Sequence, residues 1–324
     1  MKETIRANKV LHGQFFTVSN PFNHPMFADW LKLVAKDKPF IEPFAGANNI
    51  VKLISELGEL QKWKSFDIEP KSKGIKKADT IKNFPKGFKT GITNPPYLAK
   101  NSATRKGLKV DFRGYDDLYK VAIGECLSNL EYLAAIIPES FITSGLFTDR
   151  LFGIVSLTSK MFDDTECPVC LALWIKQETN DFKFYSGENV LGNFSILKRK
   201  LPLADKLPNL KFNDATGQIG LMAIDSTSGP SIRFCRGSEI DSGLIKYTSR
   251  SITRIHIPNF KGDTLQLVEE GNRILRDFRT DTGDVFLTAF KGLRRDGKYR
   301  RRLDFETARR ILGLALQNLG VMYE

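Results

Sequence analysis

Residues 90–97 read TGITNPPY, a short apolar run that ends in two consecutive prolines. The run predicts a buried strand over residues 90–93, and the prolines end it because neither ring nitrogen can donate a hydrogen bond to a neighbouring strand. Asn94 precedes the first proline, so its backbone is restricted to extended geometry. The resulting stiff turn can hold an amide side chain, a backbone carbonyl and the Tyr97 ring around one small planar group. Such a cradle suits an amino group attached to a heterocyclic base.

Strand and helix patterns alternate on both sides of this turn. The predicted strands cover residues 39–42, 64–68, 90–93, 132–137 and 171–175, and the predicted helices cover residues 49–60 and 115–130. Alternation of this kind favours right-handed crossovers between parallel strands. We therefore predict an α/β fold with a Rossmann-like, mostly parallel sheet and helices on both of its faces.

Polar and turn residues gather at the predicted strand ends. Glu42, Asp67, Asn94 and Pro138 each close a strand, and parallel sheets bind ligands beyond the carboxyl ends of their strands. An acid in the position of Asp67 commonly accepts hydrogen bonds from both hydroxyls of a ribose. The alternative for this residue is a helix cap or a surface carboxylate. Together the four positions predict a binding site at one edge of the sheet.

The segment between the first two of these strands is also informative. Residues 41–49 read IEPFAGANN, which predicts a strand end, a tight turn and the start of a helix. Gly46 lets the backbone of the turn approach a ligand closely, although glycines close many such turns. Asp79 precedes the strand at 90–93 and, taken by itself, is predicted only to cap a turn or helix.

After about residue 177 the alternation ends, and short irregular segments precede a helix predicted over residues 305–319. Residues 291–302 read KGLRRDGKYRRR, which is densely basic and punctuated by glycine. Such a run is commonly a solvated loop, but its interleaving with Phe290 and Tyr299 favours contact with phosphate groups. The side chains predicted to make these contacts are Arg294, Arg295, Lys298, Arg300, Arg301 and Arg302.

Composition limits the classes of function. The 324 residues carry a formal net charge of +12, which agrees either with simple solubility or with attraction to a polyanion such as nucleic acid. Charge alone leaves these two interpretations about even. No apolar run is long enough to span a bilayer, and the first residues lack the apolar core of a secretion signal.

Cysteines and histidines do not indicate a metal or redox site. Cys167 and Cys170 have CxxC spacing, which is compatible with redox or metal chemistry. They run directly into the apolar residues 171–175, so we predict strand and core instead. The three histidines are scattered through the chain and have no metal-ligand spacing.

The order of the motifs resembles that of a known enzyme family. GQFFT at residues 13–17 precedes EPFAG at 42–46, then Asp67, Asp79 and NPPY at 94–97. This order resembles S-adenosylmethionine-dependent amino-methyltransferases and, more narrowly, the DNA N6-adenine methyltransferases of the gamma arrangement. In that arrangement the cofactor motif comes first, the catalytic motif second and a target-recognition domain last. NPPY is typical of methylation at a planar-system nitrogen and is not restricted to DNA.

The resemblance covers roughly residues 11–177 and implies two domains. Residues 1–180 would bind S-adenosylmethionine and catalyse methyl transfer. Residues 181–324 would form a mixed target-recognition domain that binds double-stranded DNA. The implied enzyme is a site-specific DNA methyltransferase that methylates adenine N6 on a base flipped out of the duplex. It would be a cytoplasmic protein of prokaryotic or phage origin, protecting DNA in a restriction–modification system that can include a separate cognate endonuclease.

The resemblance also implies roles for single residues. The implied cofactor-binding set is Gln14, Phe16, Thr17, Glu42, Pro43, Phe44, Gly46, Asp67, Asp79 and Asn94, and the implied catalytic set is Asn94, Pro95, Pro96 and Tyr97. Thr17 and Glu42 would lie at the methionine end of the cofactor. Asp67 would hold the ribose hydroxyls, and Asp79 the adenine amino group.

At the catalytic turn, Asn94 and the Pro95 carbonyl would accept hydrogen bonds from the target amino group, and Tyr97 would stack on the base. The two acceptors would draw the amine toward tetrahedral geometry, so methyl transfer is direct and needs no cysteine nucleophile. Phe162 is a candidate for the second aromatic side chain against the base. The family commonly has a second glycine where Asn48 stands. Asparagine tolerates left-handed backbone, so we expect the turn to survive.

Several alternatives share these motifs. Methyltransferases of ribosomal RNA adenine and of protein glutamine also use NPPY. N4-cytosine methyltransferases more often carry serine in place of Asn94. A DNA-binding homologue without catalysis is the alternative from another class. The position of the cofactor motif and the basic C-terminal segment favour DNA, and Asn94 favours adenine over cytosine.

Overall fold

The computed structural model describes residues 20–58, 62–157, 161 and 167–321. The chain divides into two compact units, Met1–Val190 and Leu191–Glu324. The sequence places the domain boundary slightly earlier, between residues 180 and 181. The roles assigned to the two domains remain predictions.

The first unit contains the elements expected from the alternating pattern and several short additional strands. Its elements are α1 (Pro25–Leu33), β1 (Phe40–Glu42), α2 (Asn49–Ser55), β2 (Trp63–Asp67), β3 (Ile75–Lys77), β4 (Thr90–Thr93), α3 (Lys100–Arg105), α4 (Leu118–Asn129), β5 (Tyr132–Pro138), β6 (Leu151–Ser156), β7 (Val169–Trp174), β8 (Lys183–Ser186) and β9 (Asn189–Asn193), which crosses the division between the units.

These strands form one nine-stranded sheet in the order β3-β2-β1-β4-β5-β7-β6-β8-β9. Neighbouring strands from β3 to β5 pair in parallel. β7 lies antiparallel between β5 and β6, and β6 pairs in parallel with β8. The predicted α/β fold with a mostly parallel sheet is therefore confirmed, and the carboxyl ends of β1, β2 and β4 lie at the same edge.

The strand before the two prolines lies in the middle of this sheet. All four residues of β4 are buried, as expected for a strand covered on both faces. A Cβ atom at Gly91 would lie 2.6 Å from Cδ1 of Leu130 and 3.4 Å from Cγ2 of Ile41. The glycine therefore lets the strand pack closely against its neighbours. The parallel pairing with β5 ends at Thr93, opposite Ala135.

Two predicted helices have different bounds in the structure. α2 stops at Ser55 rather than near residue 60, and the following turn reaches Gly58, whose φ of +75° is outside the helical region. α4 begins at Leu118 because the carboxylate of Asp117 accepts a hydrogen bond from the N–H of Tyr119 and so caps the helix. Cys170 is buried in β7, as the strand-and-core interpretation predicted.

The second unit combines two small antiparallel sheets with helices. Its elements are α5 (Phe194–Lys198), β10 (Lys211–Phe212), β11 (Ile219–Met222), β12 (Arg233–Arg236), β13 (Ile252–His256), α6 (Thr264–Thr282), β14 (Thr288–Leu293), β15 (Tyr299–Arg302) and α7 (Phe305–Asn318). One sheet has the order β10-β13-β11-β12, and β14 and β15 form a separate hairpin. α7 confirms the predicted terminal helix. Among the described residues, no helix combines the length and the apolar character that crossing a bilayer requires.

Candidate active site

A cavity of about 340 Å³ opens at the carboxyl edge of the sheet in the first unit. The predicted site residues that line it are Glu42, Phe44, Gly46, Asp67, Asp79, Asn94, Pro95 and Pro96. Its volume is at the lower end of the range for small-molecule sites in proteins. The structure thus brings together, in one cavity, residues that are separated by more than fifty positions in the chain.

Not every predicted residue can be placed in the cavity. Gln14, Phe16, Thr17 and Phe162 lie outside the described residues. Pro43 does not line the cavity, but its carbonyl oxygen accepts a hydrogen bond from Oγ1 of Thr80 at 2.9 Å. This bond joins the turn after β1 to the segment that carries Asp79, so Pro43 supports the cavity wall. The functional roles of all these residues remain predictions.

The end of β1 places a buried carboxylate in the cavity. Glu42 is 1% exposed, and its Oε1 accepts hydrogen bonds from Oγ1 of Thr93 at 2.7 Å and from the N–H of Phe44 at 3.3 Å. Oε2 has no hydrogen-bond partner within the described part of the chain. Burial raises the pKa of Glu42 to about 8. A buried carboxylate with an open oxygen is suited to a cationic ligand group, which would stabilise its ionised form.

The turn after β1 has the left-handed backbone that its sequence predicts. φ is +52° at Gly46 and +66° at Asn48, so the asparagine adopts the left-handed backbone that it tolerates better than most residues. Its Oδ1 also accepts a hydrogen bond of 2.7 Å from Oγ of Ser65 on β2. The turn therefore survives the substitution, as expected, and is tied to the neighbouring strand.

The end of β2 supplies a second acid and an apolar face. Oδ2 of Asp67 accepts a hydrogen bond from the N–H of Gly46 at 2.8 Å, and Oδ1 accepts one from the N–H of Glu69 at 2.7 Å. Each carboxylate oxygen has two lone pairs, so both can still accept from ligand hydroxyls. Ile68 lines the cavity beside it and is 49% exposed. This pairing suits a ribose attached to a flat heterocycle.

A third acid lines the cavity at Asp79. Its Oδ2 forms an ion pair of 3.0 Å with Nζ of Lys82, and its Oδ1 accepts a hydrogen bond of 3.2 Å from the N–H of Lys82. The capping role considered for this residue is therefore present in the structure. A carboxylate that is partly open to the cavity can also accept a hydrogen bond from an amino group of a ligand.

The NPPY turn holds Asn94 against a buried phenol. Oη of Tyr97 lies 2.5 Å from Oδ1 of Asn94 and 2.7 Å from the carbonyl oxygen of Ile136. Tyr97 is 9% exposed, and its ring meets that of Tyr119 edge to face, with centroids 6.3 Å apart. Burial raises the pKa of the Tyr97 phenol well above its usual range, so the hydroxyl stays protonated. Asn94 lines the cavity, whereas the Tyr97 ring packs behind it.

Sequence reasoning missed one wall of the cavity. Lys109, Val110, Asp111 and Arg113 line it from the segment that follows the catalytic turn. This segment has no regular apolar period, which is why it carried no secondary-structure signal. Two sequence signals could have indicated this wall: its position directly after NPPY and the glycines that bound it, Gly107 and Gly114. In the structure, φ is +65° at Gly107 and +88° at Gly114.

The predicted phosphate-contacting residues fall into two groups in the second unit. Arg294 and Arg301 are buried, with 7% and 9% exposure, and Nη1 of Arg294 lies 3.1 Å from Oδ2 of Asp225. Nε of Arg300 donates a 2.6 Å hydrogen bond to the carbonyl oxygen of Asp225. Arg302 is half-buried, like Arg300, whereas Arg295 and Lys298 are exposed. A phosphate would therefore meet the exposed members first.

No protein-family model matches the chain, and no curated protein matches it. Among solved structures, the chain is similar to the methyltransferase subunit of a type I restriction–modification system from Streptococcus thermophilus, with 14% identity and a TM-score of 0.39 over 56% of this chain and 50% of that one. It is similar to the M protein of the type I restriction enzyme EcoKI, with 14% identity and a TM-score of 0.39 over 57% and 50%.

It is also similar to a chain of the DrdV–DNA complex, with 11% identity and a TM-score of 0.42 over 56% of this chain and 28% of that chain. The match thus spans half or less of the length of each of these structures. Because all three TM-scores are below 0.5, these likenesses carry no argument about what this chain does.

Proposed function

We propose that this chain is an S-adenosylmethionine-dependent methyltransferase that acts on the exocyclic amino group of adenine in double-stranded DNA. The observation that carries the proposal is the position of the NPPY turn. Asn94, Pro95 and Pro96 line the same cavity as three acids, Glu42, Asp67 and Asp79. A methyl donor and an amino group can therefore be held side by side.

The cavity residues fit the proposed cofactor group by group. The open Oε2 of Glu42, which has no hydrogen-bond partner among the described residues, suits the cationic methionine end, because a nearby positive charge would favour the ionised form of this buried carboxyl group. Asp67 and Ile68 suit the ribose and one face of the adenine, and Asp79 suits the adenine amino group. When bound, S-adenosylmethionine supplies an activated methyl group on its sulfonium.

The chain's own part in the chemistry is orientation and electrostatics. An exocyclic amine conjugated with its ring is a poor nucleophile because its lone pair is delocalised. Asn94 and the carbonyl of Pro95 would accept the two amine hydrogens, draw the nitrogen toward tetrahedral geometry and concentrate that lone pair. The two prolines fix the spacing of these acceptors, so little reorganisation is needed at the moment of reaction.

Double-stranded DNA is the proposed substrate because of the second unit. Residues 191–324 contain 23 lysines and arginines against 15 aspartates and glutamates, an excess suited to phosphate contacts. Adenine N6 is enclosed in the duplex, so the base must leave the stack, at a cost of a few kcal/mol. The resemblance of the motif order adds the proposed biological role: protection of DNA in a restriction–modification system, with a separate endonuclease as a partner.

A methylation assay tests the proposal. The purified protein and methyl-labelled S-adenosylmethionine are incubated separately with duplex DNA, structured RNA and a protein extract, and labelled DNA is digested to nucleosides. We expect label in DNA, as N6-methyl-2′-deoxyadenosine. Transfer to RNA or protein would identify the chain as a methyltransferase of RNA adenine or of protein glutamine. Transfer to cytosine would change the proposed target base. The absence of transfer, together with the absence of cofactor binding in calorimetry, would overturn the proposal and favour the non-catalytic alternative.

The proposed role of Asn94 in methyl transfer is tested with the same assay. Asn94→Ala should abolish transfer while cofactor binding persists, because the acids of the cavity are unchanged. Asn318→Ala, at an exposed position on α7, is the matched control and should keep full activity. Transfer by Asn94→Ala at a rate near that of the wild type would show that the assigned mechanism is wrong.

A further inference from the structure

Residues 98–118 form a closed loop directly after the catalytic turn, here named the flap. Its two ends meet: Ala99 and Asp117 form an isolated β-bridge, and the N–H of Leu118 donates to the carbonyl oxygen of Leu98 at 3.1 Å. Oδ1 of Asp117 accepts a second bond from the N–H of Leu98 at 3.0 Å. Loops whose ends meet and whose own side chains pack them are often functional.

The flap has a small apolar core of its own. Leu98, Ala103 and Phe112 are buried in it, and three partly buried side chains, Leu108, Val110 and Leu118, pack against them. Apolar clusters of this kind commonly lie under long loops, apart from the main core. The flap can therefore keep its own structure while it packs against the rest of the unit.

One side of the flap lines the cavity, and one residue ties it to the opposite wall. Arg113 donates from Nη2 to the carbonyl oxygen of Ile81 at 2.7 Å and from Nη1 to Oε2 of Glu125 on α4 at 2.6 Å. Ile81 also lines the cavity, two residues after Asp79. The guanidinium thus joins the flap, the Asp79 segment and α4, and its planar fork allows both bonds at once.

The backbone at Arg113 is held in an unfavourable conformation. Its φ is +47°, which lies in the left-handed region that residues with a Cβ rarely adopt. A tight turn accounts for this conformation, because the N–H of Tyr115 donates to the carbonyl oxygen of Phe112 at 2.8 Å and the N–H of Arg113 donates to Oδ1 of Asp111 at 2.9 Å. The turn directs the Arg113 side chain, whose exposed ion pair with Glu125 contributes little by itself. The bond to Ile81 adds a charge-assisted contact to the cavity wall.

We propose that Arg113 is a positioning residue that holds the flap closed over the adenosine end of the cavity and so retains the cofactor. The inference rests on the proposed function, because Asp79 and Ile81 mark the end of the cavity assigned to the adenine. Cofactor leaves this end only when the bond between Arg113 and Ile81 breaks. The residue does not touch the reacting atoms, so it acts on the lifetime of the bound cofactor and not on methyl transfer.

Binding of S-adenosylhomocysteine, which carries no methyl group to transfer, tests this role. Arg113→Met keeps the length of the side chain and removes its donors. We expect its Kd to rise about tenfold, with most of the change in the dissociation rate measured by stopped-flow competition. Arg113→Lys keeps the charge but cannot make both bonds, so an intermediate dissociation rate is expected. If Arg113→Met does not fold, as judged by its thermal unfolding, Arg113→Lys decides the test.

Arg105→Met is the matched control, because Arg105 lies in the same flap and its guanidinium bonds to Asn101 and Ser102 of its own helix at 3.3 and 3.4 Å. It should bind like the wild type. Trypsin gives a second readout at Lys106 and Lys109, which both proteins retain: S-adenosylhomocysteine should protect these sites from cleavage in the wild type and not in Arg113→Met.

The outcomes separate the two proposals. A folded Arg113→Met with the Kd and dissociation rate of the wild type overturns the role of Arg113 and leaves the proposed function standing. A wild-type protein that does not bind S-adenosylhomocysteine overturns the proposed function, and the role of Arg113 with it.

Discussion

The hydroxyl of Tyr97 lies 2.5 Å from Oδ1 of Asn94 and 2.7 Å from the carbonyl oxygen of Ile136. The pairing of β4 with β5 ends one residue before Ile136. The Tyr97 hydroxyl therefore contacts β5 just beyond the last paired residue. A phenol has one proton and can donate it to only one of the two oxygens. The hydroxyl therefore lies within hydrogen-bond distance of both the Asn94 amide and the sheet and donates to one of them, a contact that base stacking does not require.

Replacing this tyrosine with phenylalanine separates the two roles. Tyr97→Phe keeps the ring and removes the link, so we expect kcat to fall about fivefold to tenfold, the equivalent of one hydrogen bond of about 1 kcal/mol. Cofactor Kd should not change. Tyr185→Phe, whose ring packs on His24, serves as the control. A kcat equal to that of the wild type would mean that the ring alone matters.

The central strands could be predicted because continuous apolar runs in the local sequence indicate that they are buried. The run before Asn94 and the run at residues 132–137 are apolar and are bounded by turn residues, so both strands were predicted correctly. β6 and β8 were not predicted, because their places in the sheet depend on the pairing of β6 with β7 and of β8 with β6, and not on local periodicity. The flap was missed for a similar reason: its core joins Leu98 to Phe112 through irregular backbone.

The buried Glu42 predicts a pH dependence of stability. Its pKa is raised from 4.5 to about 8 in the folded state, so the unfolded chain loses the proton first as the pH rises. Wild-type stability should therefore fall between about pH 4.5 and pH 8, by an amount on the order of a few kcal/mol at most. Glu42→Gln cannot ionise, so its Tm relative to that of the wild type should increase from pH 5 to pH 8.5.

Thermal unfolding at the two pH values measures this difference. Glu56→Gln removes a carboxylate from an exposed position just after α2 and serves as the control for the change in net charge. A Tm difference for Glu42→Gln that is the same at both pH values would contradict the raised pKa of Glu42.

The left-handed backbone at Asn48 predicts how substitutions at this position change the stability of the protein. At its φ of +66°, Asn48→Val should destabilise the protein more than Asn48→Gly, by about 1–2 kcal/mol. Both variants lose the hydrogen bond to Ser65, so their difference isolates the backbone effect. Urea unfolding gives this difference, and calorimetry should show weaker cofactor binding for the valine variant. Equal stability of the two variants would indicate that the turn rearranges.

The charges of the second unit show where sequence reasoning reaches its limit. Residues 291–302 look like a uniformly basic loop, yet Arg294 is bound to Asp225, a residue 69 positions away. Asp225 is fully buried and also accepts bonds from both Nη atoms of Arg279, each at 2.9 Å. Nothing in the local sequence indicates that one of these arginines is internal, because its partner comes from another part of the fold.

Removing the charge of Asp225 should destabilise the second unit. Asp225→Asn removes the carboxylate that two largely buried guanidiniums share, although these keep Asp284 and Asp296 as partners. We therefore expect a cost of about 2 kcal/mol or more. Asp277→Asn, on the exposed face of α6 and paired with Arg273, should cost less than about 1 kcal/mol. Urea unfolding of both variants gives the comparison. Similar losses for the two variants would mean that the buried cluster contributes no more than a surface pair.

The exposed and buried members of the basic stretch should respond differently to salt. Arg295→Ala together with Lys298→Ala removes two exposed cations without touching Asp225. We expect the slope of log K for duplex DNA against log salt to become shallower by about two, since each lost phosphate contact removes ~0.9 from it. Lys36→Ala with Lys38→Ala, in the first unit, removes the same charge and should leave the slope nearly unchanged. Fluorescence anisotropy from low to moderate salt measures both slopes, and equal slopes for the two double variants would remove this hairpin from the DNA interface.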